Sequence, residues 1–270
     1  MKYIQITNNP DLAKYISDCG VDLIMVDLEK IGKSERQKNL DTVKSNHNLG
    51  DIIKIKRKLK NTSTQLITRI NPLHEKTKDE IDTACSNGTD YIMLPMFSSK
   101  EEVEQVIHYI NKRVKLILLF ETPGSIHNVD TILKLNKIDE AYIGLNDLSI
   151  AYKLKFMFEL LPSSLIELLA TKFKEKKIPF GIGGISRIGS GQLDPKLILS
   201  EHVRLGSRRV IISRSFTERA QSVDELMKKM NFKEEISLLN AEHRSLEKFT
   251  QVQLEKNKTE LIKNLQLIKK

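Results

Sequence analysis

Residues 115–147 read KLILLFETPGSIHNVDTILKLNKIDEAYIGLND. Two short apolar runs, Lys115–Phe120 and Glu140–Ile143, flank a longer connecting stretch. Both runs are rich in aliphatic residues, as strands buried on both faces are. A strand, a crossover and a second strand make the unit of a parallel sheet. Each run also leads into an acid: Glu121 follows the first directly, and Asp147 follows the second after Gly144-Leu145-Asn146. A carboxylate behind a buried strand is a costly placement unless something uses it. Two such acids on neighbouring parallel strands point into the same space.

The same alternation extends in both directions. Further strand candidates are Tyr3–Ile6, Leu23–Val26, Gln65–Ile70, Tyr91–Leu94, Pro179–Ile182 and Arg209–Ile212, which brings the total to eight. Helical patterns lie between them, most clearly at Asp79–Ser86, Ser99–Asn111 and Pro195–Leu205. The second of these has Ser98 or Ser99 before a Lys-Glu-Glu first turn, a helix-start signal. Eight strands in strict alternation with helices predict a (β/α)₈ TIM barrel, which typically takes about 250 residues. The 270-residue chain, 40% hydrophobic, can fill one such core. Residues 1–221 are therefore expected to form the barrel. Residues 222–270 carry no strand signal, and Leu238, Leu239, Leu246, Phe249, Leu254, Leu261 and Leu265 recur there at roughly helical spacing. This helical extension has two possible seats, its own barrel or a neighbouring subunit, and a homo-oligomer is the expected assembly.

Composition narrows the function classes. The start, MKYIQIT, turns polar too soon for a signal peptide, and no apolar run approaches the roughly 20 residues of a membrane helix. Cys19 and Cys85 lie far apart without metal-ligand spacing, so a reduced cytoplasm is expected, with no membrane partner. The net charge of +9 permits anionic ligands. With aromatics at 6% and no recognisable module, a nucleic-acid role is not expected.

The strand ends carry the chemistry. Asp27 and Glu29 close the second strand, Arg69 the third, Pro95 and Met96 the fourth, and Glu121 and Asp147 follow the fifth and sixth. Active sites of such barrels are built at the C-terminal ends of the strands. One charged strand end is explained by a local ion pair; five on neighbouring strands are better explained by a site. Glu121 and Asp147 offer hard oxygen ligands that suit Mg²⁺ or Mn²⁺. A Lewis acid there would polarise the carbonyl of a 2-keto acid and stabilise an enolate. Arg69 would clamp a carboxylate or steady the enolate oxygen. Asp27 and Glu29, two apart on a strand end, project on one side as candidates for a proton relay.

The stretches VDLIMVDLE, TRINP, DYIMLPMFSSKEEVEQVI, LLFETPGSI and AYIGLNDLS, in this order, resemble the HpcH/HpaI aldolase and citrate lyase beta-chain family. The resemblance runs from about Val21 to Phe216. It implies a (β/α)₈ barrel, a divalent metal held by Glu121 and Asp147, substrate binding by Arg69 and by the amides near Pro95 and Met96, and enolate chemistry on a pyruvate-like keto acid or an acyl thioester. The implied activity is a carbon–carbon lyase or aldolase. A citrate-lyase-like acyl-CoA ester lyase or thioesterase, and an inactive metal-binding barrel serving as subunit or sensor, are the alternatives.

The chain departs from the aldolase branch at Lys30, where those enzymes keep a histidine that assists proton transfer. Lys30 is a candidate catalytic group only if desolvation lowers its pKa; otherwise it is solvated and pairs with an anionic substrate group. Lys33 and Arg36 resemble the basic pair that follows this position in the lyase branch. Among the histidines, only His47 merits testing as a substitute base. The Gly-rich run 181–191 after the seventh strand is either a mobile anion loop, with Arg187 aimed at the substrate, or a surface connection. The polar segment between Lys30 and Asp51 is expected to cover the site.

Overall fold

The computed structural model describes residues 1–33 and 46–268. Eight parallel strands close into a barrel in sequence order: β1 (Lys2–Ile6), β2 (Leu23–Asp27), β3 (Gln65–Arg69), β4 (Tyr91–Leu94), β5 (Lys115–Phe120), β6 (Glu140–Ile143), β7 (Phe180–Ile185) and β8 (Arg209–Ile212). Closure runs through β1 and β8, with Tyr3 opposite Val210. Side chains alternate as the pleat demands. Ile4, Met25, Ile67, Met93, Ile117 and Tyr142 form one buried cluster, the filling of the barrel. Their strand neighbours Ile24, Val26, Leu66, Ile92, Leu116 and Leu118 belong to a second, larger cluster beneath the surrounding helices. Both strand faces are thus buried, which is why the sequence shows continuous apolar runs.

The helices start and stop where local chemistry dictates. In Lys100–Ile110 the cap is Ser99: its hydroxyl accepts from the Glu102 N–H at 3.3 Å, and the Glu102 carboxylate accepts from the Ser99 N–H at 2.8 Å. The helix Pro195–Leu205 has the bounds expected from sequence.

Strand β7 runs to Ile185, beyond the expected end at Ile182, and absorbs most of the glycines of the 181–191 run. A register shift between Gly181 and Gly184 separates it from β8. Tyr142 fills the gap: its hydroxyl donates to the Gly183 carbonyl at 2.6 Å and accepts from the Ile211 N–H at 2.8 Å. A Cβ at Gly181 would run into the Tyr142 ring.

The N-terminal end of the barrel is polar. Glu140 and Arg209, the first residues of β6 and β8, form a buried ion pair, and the Arg209 guanidinium lies 5.4 Å from the centre of the Tyr91 ring. The pair seals this end. A cavity of 510 Å³, lined in part by Lys112, Lys115 and Lys137, opens beside it, across the barrel from the acids of interest.

The C-terminal extension consists of Val223–Lys229, Phe232–Leu246 and Gln251–Ile268. The last helix buries Leu254, Leu261 and Leu265. It is tied to the barrel's own helices: Asn257 Nδ2 donates to Ser200 Oγ at 2.9 Å, Lys258 pairs with Glu167 at 2.5 Å, and Arg204 bridges Glu201, Glu167 and Glu255. In this chain the helix packs against its own barrel. Among the described residues no helix is long and apolar enough to cross a membrane.

Candidate active site

The C-terminal strand ends assemble two carboxylate groupings of unlike character. The first centres on Asp27. Parallel pairing of β2 with β3 places Asp27 opposite Arg69 in register. Arg69 grips it with two bonds, Nε to Oδ1 and Nη2 to Oδ2, both 2.8 Å. Lys33 Nζ reaches Asp27 Oδ2 at 2.9 Å and Glu29 Oε2 at 3.3 Å, and Arg69 Nε approaches Glu29 Oε2 at 3.5 Å. Asp27 and Glu29 are both buried. Burial alone would raise the Asp27 pKa, but Arg69 and Lys33 together outweigh it and hold the carboxyl well below its ordinary range. The Arg69 pKa is correspondingly raised against the pull of burial by Asp27 and Glu29.

The second grouping is Glu121 with Asp147. Glu121 is buried just past β5, and its Oε1 accepts the Met96 N–H at 3.1 Å. Met96 makes this contact from a left-handed backbone conformation, φ 56°, uncommon for a residue with a side chain and found preferentially at functional sites. Asp147 lies in the first turn of the helix Leu145–Ala151. Gly144 joins β6 to that helix, and a Cβ there would lie 2.7 Å from Glu121 Oε2. The Glu121 pKa is raised well above the carboxylate range, first by burial, then by the charges of Asp147 and Glu29. Unlike Asp27, this acid makes no ion pair among the described residues. The deficit suits a divalent cation, with Glu121 and Asp147 as protein ligands and positions left for water and substrate. Among the described residues no group of three or more His, Cys, Asp or Glu is arranged to hold a metal, so a site here would rest on two.

The remaining expected residues fall in several places. Pro95 is buried and delivers Met96 to Glu121. Lys30 is exposed, and among the described residues it is engaged through its main chain, its N–H and that of Ile31 donating to Asn71 Oδ1 at 2.8 and 3.1 Å. Arg187, expected to aim at the substrate, instead pairs with Glu218 at 2.6 Å, linking the loops after β7 and β8. Arg36, and most of the segment expected to cover the site, lie outside the described residues.

Three parts take a place that the sequence did not give them: Asn71 went unnamed there, and Lys33 and His47 were named without their contacts to the acids. Asn71 pins the loop after β2 and is itself held by Glu80, Nδ2 to Oε1 at 2.8 Å; the Arg-Ile-Asn-Pro run was its only signal. Lys33 reaches the acids because the chain turns back after Lys30, with the Lys33 N–H bonded to the Lys30 carbonyl at 3.3 Å. His47 is buried, and its Nδ1 accepts the Asp27 N–H at 2.9 Å. Burial lowers its pKa against the pull of Asp27 and Asp51. An acceptor Nδ1 puts the ring proton on Nε2, so this histidine is neutral.

Residues 4–158 of the chain match the HpcH/HpaI aldolase/citrate lyase family. The chain belongs to this family. Its members and structural neighbours are lyase- and aldolase-type enzymes. An HpcH/HpaI aldolase from Desulfitobacterium hafniense DCB-2 superposes with a TM-score of 0.64 at 13% identity, over 85% of this chain and 93% of that one. Citrate synthase SbnG gives a TM-score of 0.62 at 15% identity, over 84% and 93%. Macrophomate synthase gives 0.57 at 16% identity, over 79% and 77%. At such identities these likenesses establish the barrel and its connections. No curated protein matches the sequence.

Proposed function

We propose that this HpcH/HpaI family member is a divalent-metal-dependent carbon–carbon lyase or aldolase acting through the enolate of a pyruvate-like 2-keto acid. The observation that carries the proposal is the buried Glu121 carboxyl beside Asp147, its pKa raised, while the neighbouring acids Asp27 and Glu29 each have cationic partners. Glu121 and Asp147 would hold Mg²⁺ or Mn²⁺. The metal would supply Lewis-acid polarisation of the keto carbonyl, which lowers the barrier to enolate formation by several kcal/mol.

The chain's own groups provide the rest. Asp27 and Glu29 fix Arg69 from behind, so its guanidinium is preorganised and loses little freedom on meeting substrate. Arg69 Nη1 makes no hydrogen bond among the described residues and offers two N–H donors to a substrate carboxylate or to the enolate oxygen. The Met96 N–H orients Glu121. His47, fixed at Nδ1 by the Asp27 N–H, is held as the neutral Nε2–H tautomer rather than as a base. Bond cleavage leaves an electron pair on the carbon next to the keto group; a proton from solvent or a site donor completes the product.

The test is oxaloacetate decarboxylation followed with and without Mg²⁺ or Mn²⁺. Metal-dependent turnover that Glu121→Gln abolishes supports the proposal. Metal binding with no turnover on oxaloacetate or on 4-hydroxy-2-keto acids would instead indicate an inactive barrel.

A further inference from the structure

We infer that the cavity at the N-terminal end of the barrel is a binding site for a small organic phosphate, an anionic head carried on an apolar body. The cavity measures about 510 Å³, within the range of ligand pockets. Its walls come from the first residues of β3 and β5, the residues just before β4 and β6, and the end of the helix Lys100–Ile110. Lys115 opens β5 and Glu121 follows its last residue, so the two stand about 20 Å apart along the strand. A ligand in this cavity is therefore a second molecule, separate from one held by Glu121 and Asp147.

The charged groups lining the cavity fall into two classes. Some are engaged in the fold. Asp90 takes Lys56 Nζ on both oxygens at 2.7 Å and the Leu66 N–H at 2.7 Å. Arg113 pairs with Asp82 at 2.6 Å and caps the helix through the Tyr109 and Ile110 carbonyls. Lys112, Lys115 and Lys137 differ: among the described residues none of the three makes an ion pair or a side-chain hydrogen bond. The Lys115 ammonium lies instead 5.3 Å from the centre of the Tyr91 ring. Among the lining residues the one acid left to face them is Asp139, whose Oδ2 already accepts the Leu116 N–H at 2.8 Å. Three lysines against one aspartate leave two positive charges over, which matches the charge of a phosphate monoester at neutral pH.

The rest of the wall asks for an apolar body. Ile107, Ile110, Val114 and Leu116 line it. Ile110 and Leu116 belong to the core, so that part of the wall is rigid, while Ile107 and Val114 are half-buried and gain cover from a ligand. Gln65 adds one oriented donor. Its Oε1 accepts the Tyr91 hydroxyl at 3.3 Å, and its Nε2 makes no hydrogen bond among the described residues. The Tyr91 hydroxyl in turn accepts from Arg209 Nη2 at 3.4 Å, which anchors the amide to the buried Glu140–Arg209 pair. An apolar wall with a few placed polar groups and a cationic rim is the lining of a pocket for an amphipathic anion. Inorganic phosphate would use the rim alone.

The experiment uses the full chain without added metal and 1-naphthyl phosphate as the probe, titrated by calorimetry at about 0.1 M salt. Inorganic phosphate and 1-naphthol serve as its two halves. One saturable site is expected, with each half bound at least about tenfold more weakly than the whole. The double variant Lys112→Gln/Lys137→Gln should weaken the probe by about tenfold or more, the effect of lost charge-assisted hydrogen bonds. Lys60→Gln/Lys176→Gln removes two exposed lysines elsewhere and should change affinity by less than about threefold, which separates a site from the attraction of a chain with net charge +9. Val114→Phe, which fills the cavity at unchanged charge, should also weaken the probe, with thermal unfolding as the check on its fold. No saturable binding of the probe below about 1 mM overturns the assignment. Equal losses in the two double variants also overturn it, and so does inorganic phosphate binding as tightly as the probe. Each of these failures leaves the keto-acid proposal standing.

Discussion

Gly144 lies directly against Glu121: a methyl group at 144 would stand 2.7 Å from the Glu121 Cβ and from its Oε2. The backbone there has φ −87°, which any residue adopts, so the position needs a glycine for space and not for conformation. The sequence Ile143-Gly144-Leu145 thereby leaves room for a buried carboxylate to face Asp147.

Gly144→Ala is accordingly expected to leave the barrel folded and to push the Glu121 carboxylate aside. Mn²⁺ affinity, read by calorimetry, should fall at least about tenfold, with turnover falling in step, because a displacement of an ångström suffices to spoil a ligand set. Thermal unfolding should shift by only a few degrees.

Arg69→Lys should be severe despite keeping the charge. An ammonium cannot reproduce the two parallel bonds to Asp27, and the buried acid loses part of its compensation. Urea unfolding at neutral pH is expected to show a loss of about 2–4 kcal/mol. Turnover should drop by about a hundredfold or more.

Stability should fall in mild acid for a reason remote from the site. His202 is fully buried with its Nδ1 2.9 Å from Ser207 Oγ, and burial depresses its pKa from 6.5 to about 3. The unfolded chain therefore binds a proton below pH 6.5 that the folded chain refuses until near pH 3. This contribution is fully present above pH 6.5 and is lost progressively as pH falls toward 3. One such group gives a slope of about 1.4 kcal/mol per pH unit within that window. Urea titrations at pH 7, 6, 5 and 4 should show the decline, and His202→Asn should flatten it.

Asn71→Ala tests the support of the loop after β2. It removes the acceptor for the Lys30 and Ile31 N–H groups and leaves Glu80 without one partner. The expected result is about a tenfold loss in kcat/KM with about 1–2 kcal/mol of stability, measured by steady-state kinetics and urea unfolding.

Much of the barrel was legible because parallel strands buried on both faces leave continuous apolar runs, and each of the eight was found within a few residues. The end of β7 was not, because Gly183 and Gly184 read as a loop until Tyr142 is seen bridging β7 and β8. The polar seal at the opposite end was missed for a related reason: Glu140 and Arg209 look like ordinary strand starts, and only barrel closure brings them together. Site residues on strand ends, Asp27, Arg69 and Glu121, could be placed in advance because strand order and register determine where they point. Lys33 and Asn71 could not, since both depend on how the loop after β2 folds back. Arg187 was expected among them, yet its partner Glu218 sits on the following loop.

The most direct test of the central claim is exchange of the pyruvate methyl protons in D₂O, followed by NMR with added Mg²⁺ or Mn²⁺. Enolate formation at a Glu121–Asp147 metal site predicts deuterium entering the methyl group only with metal and protein present, and no exchange above background in Glu121→Gln. Wild-type protein that binds the metal through these two acids yet exchanges no methyl proton, while cleaving no keto acid, would contradict it.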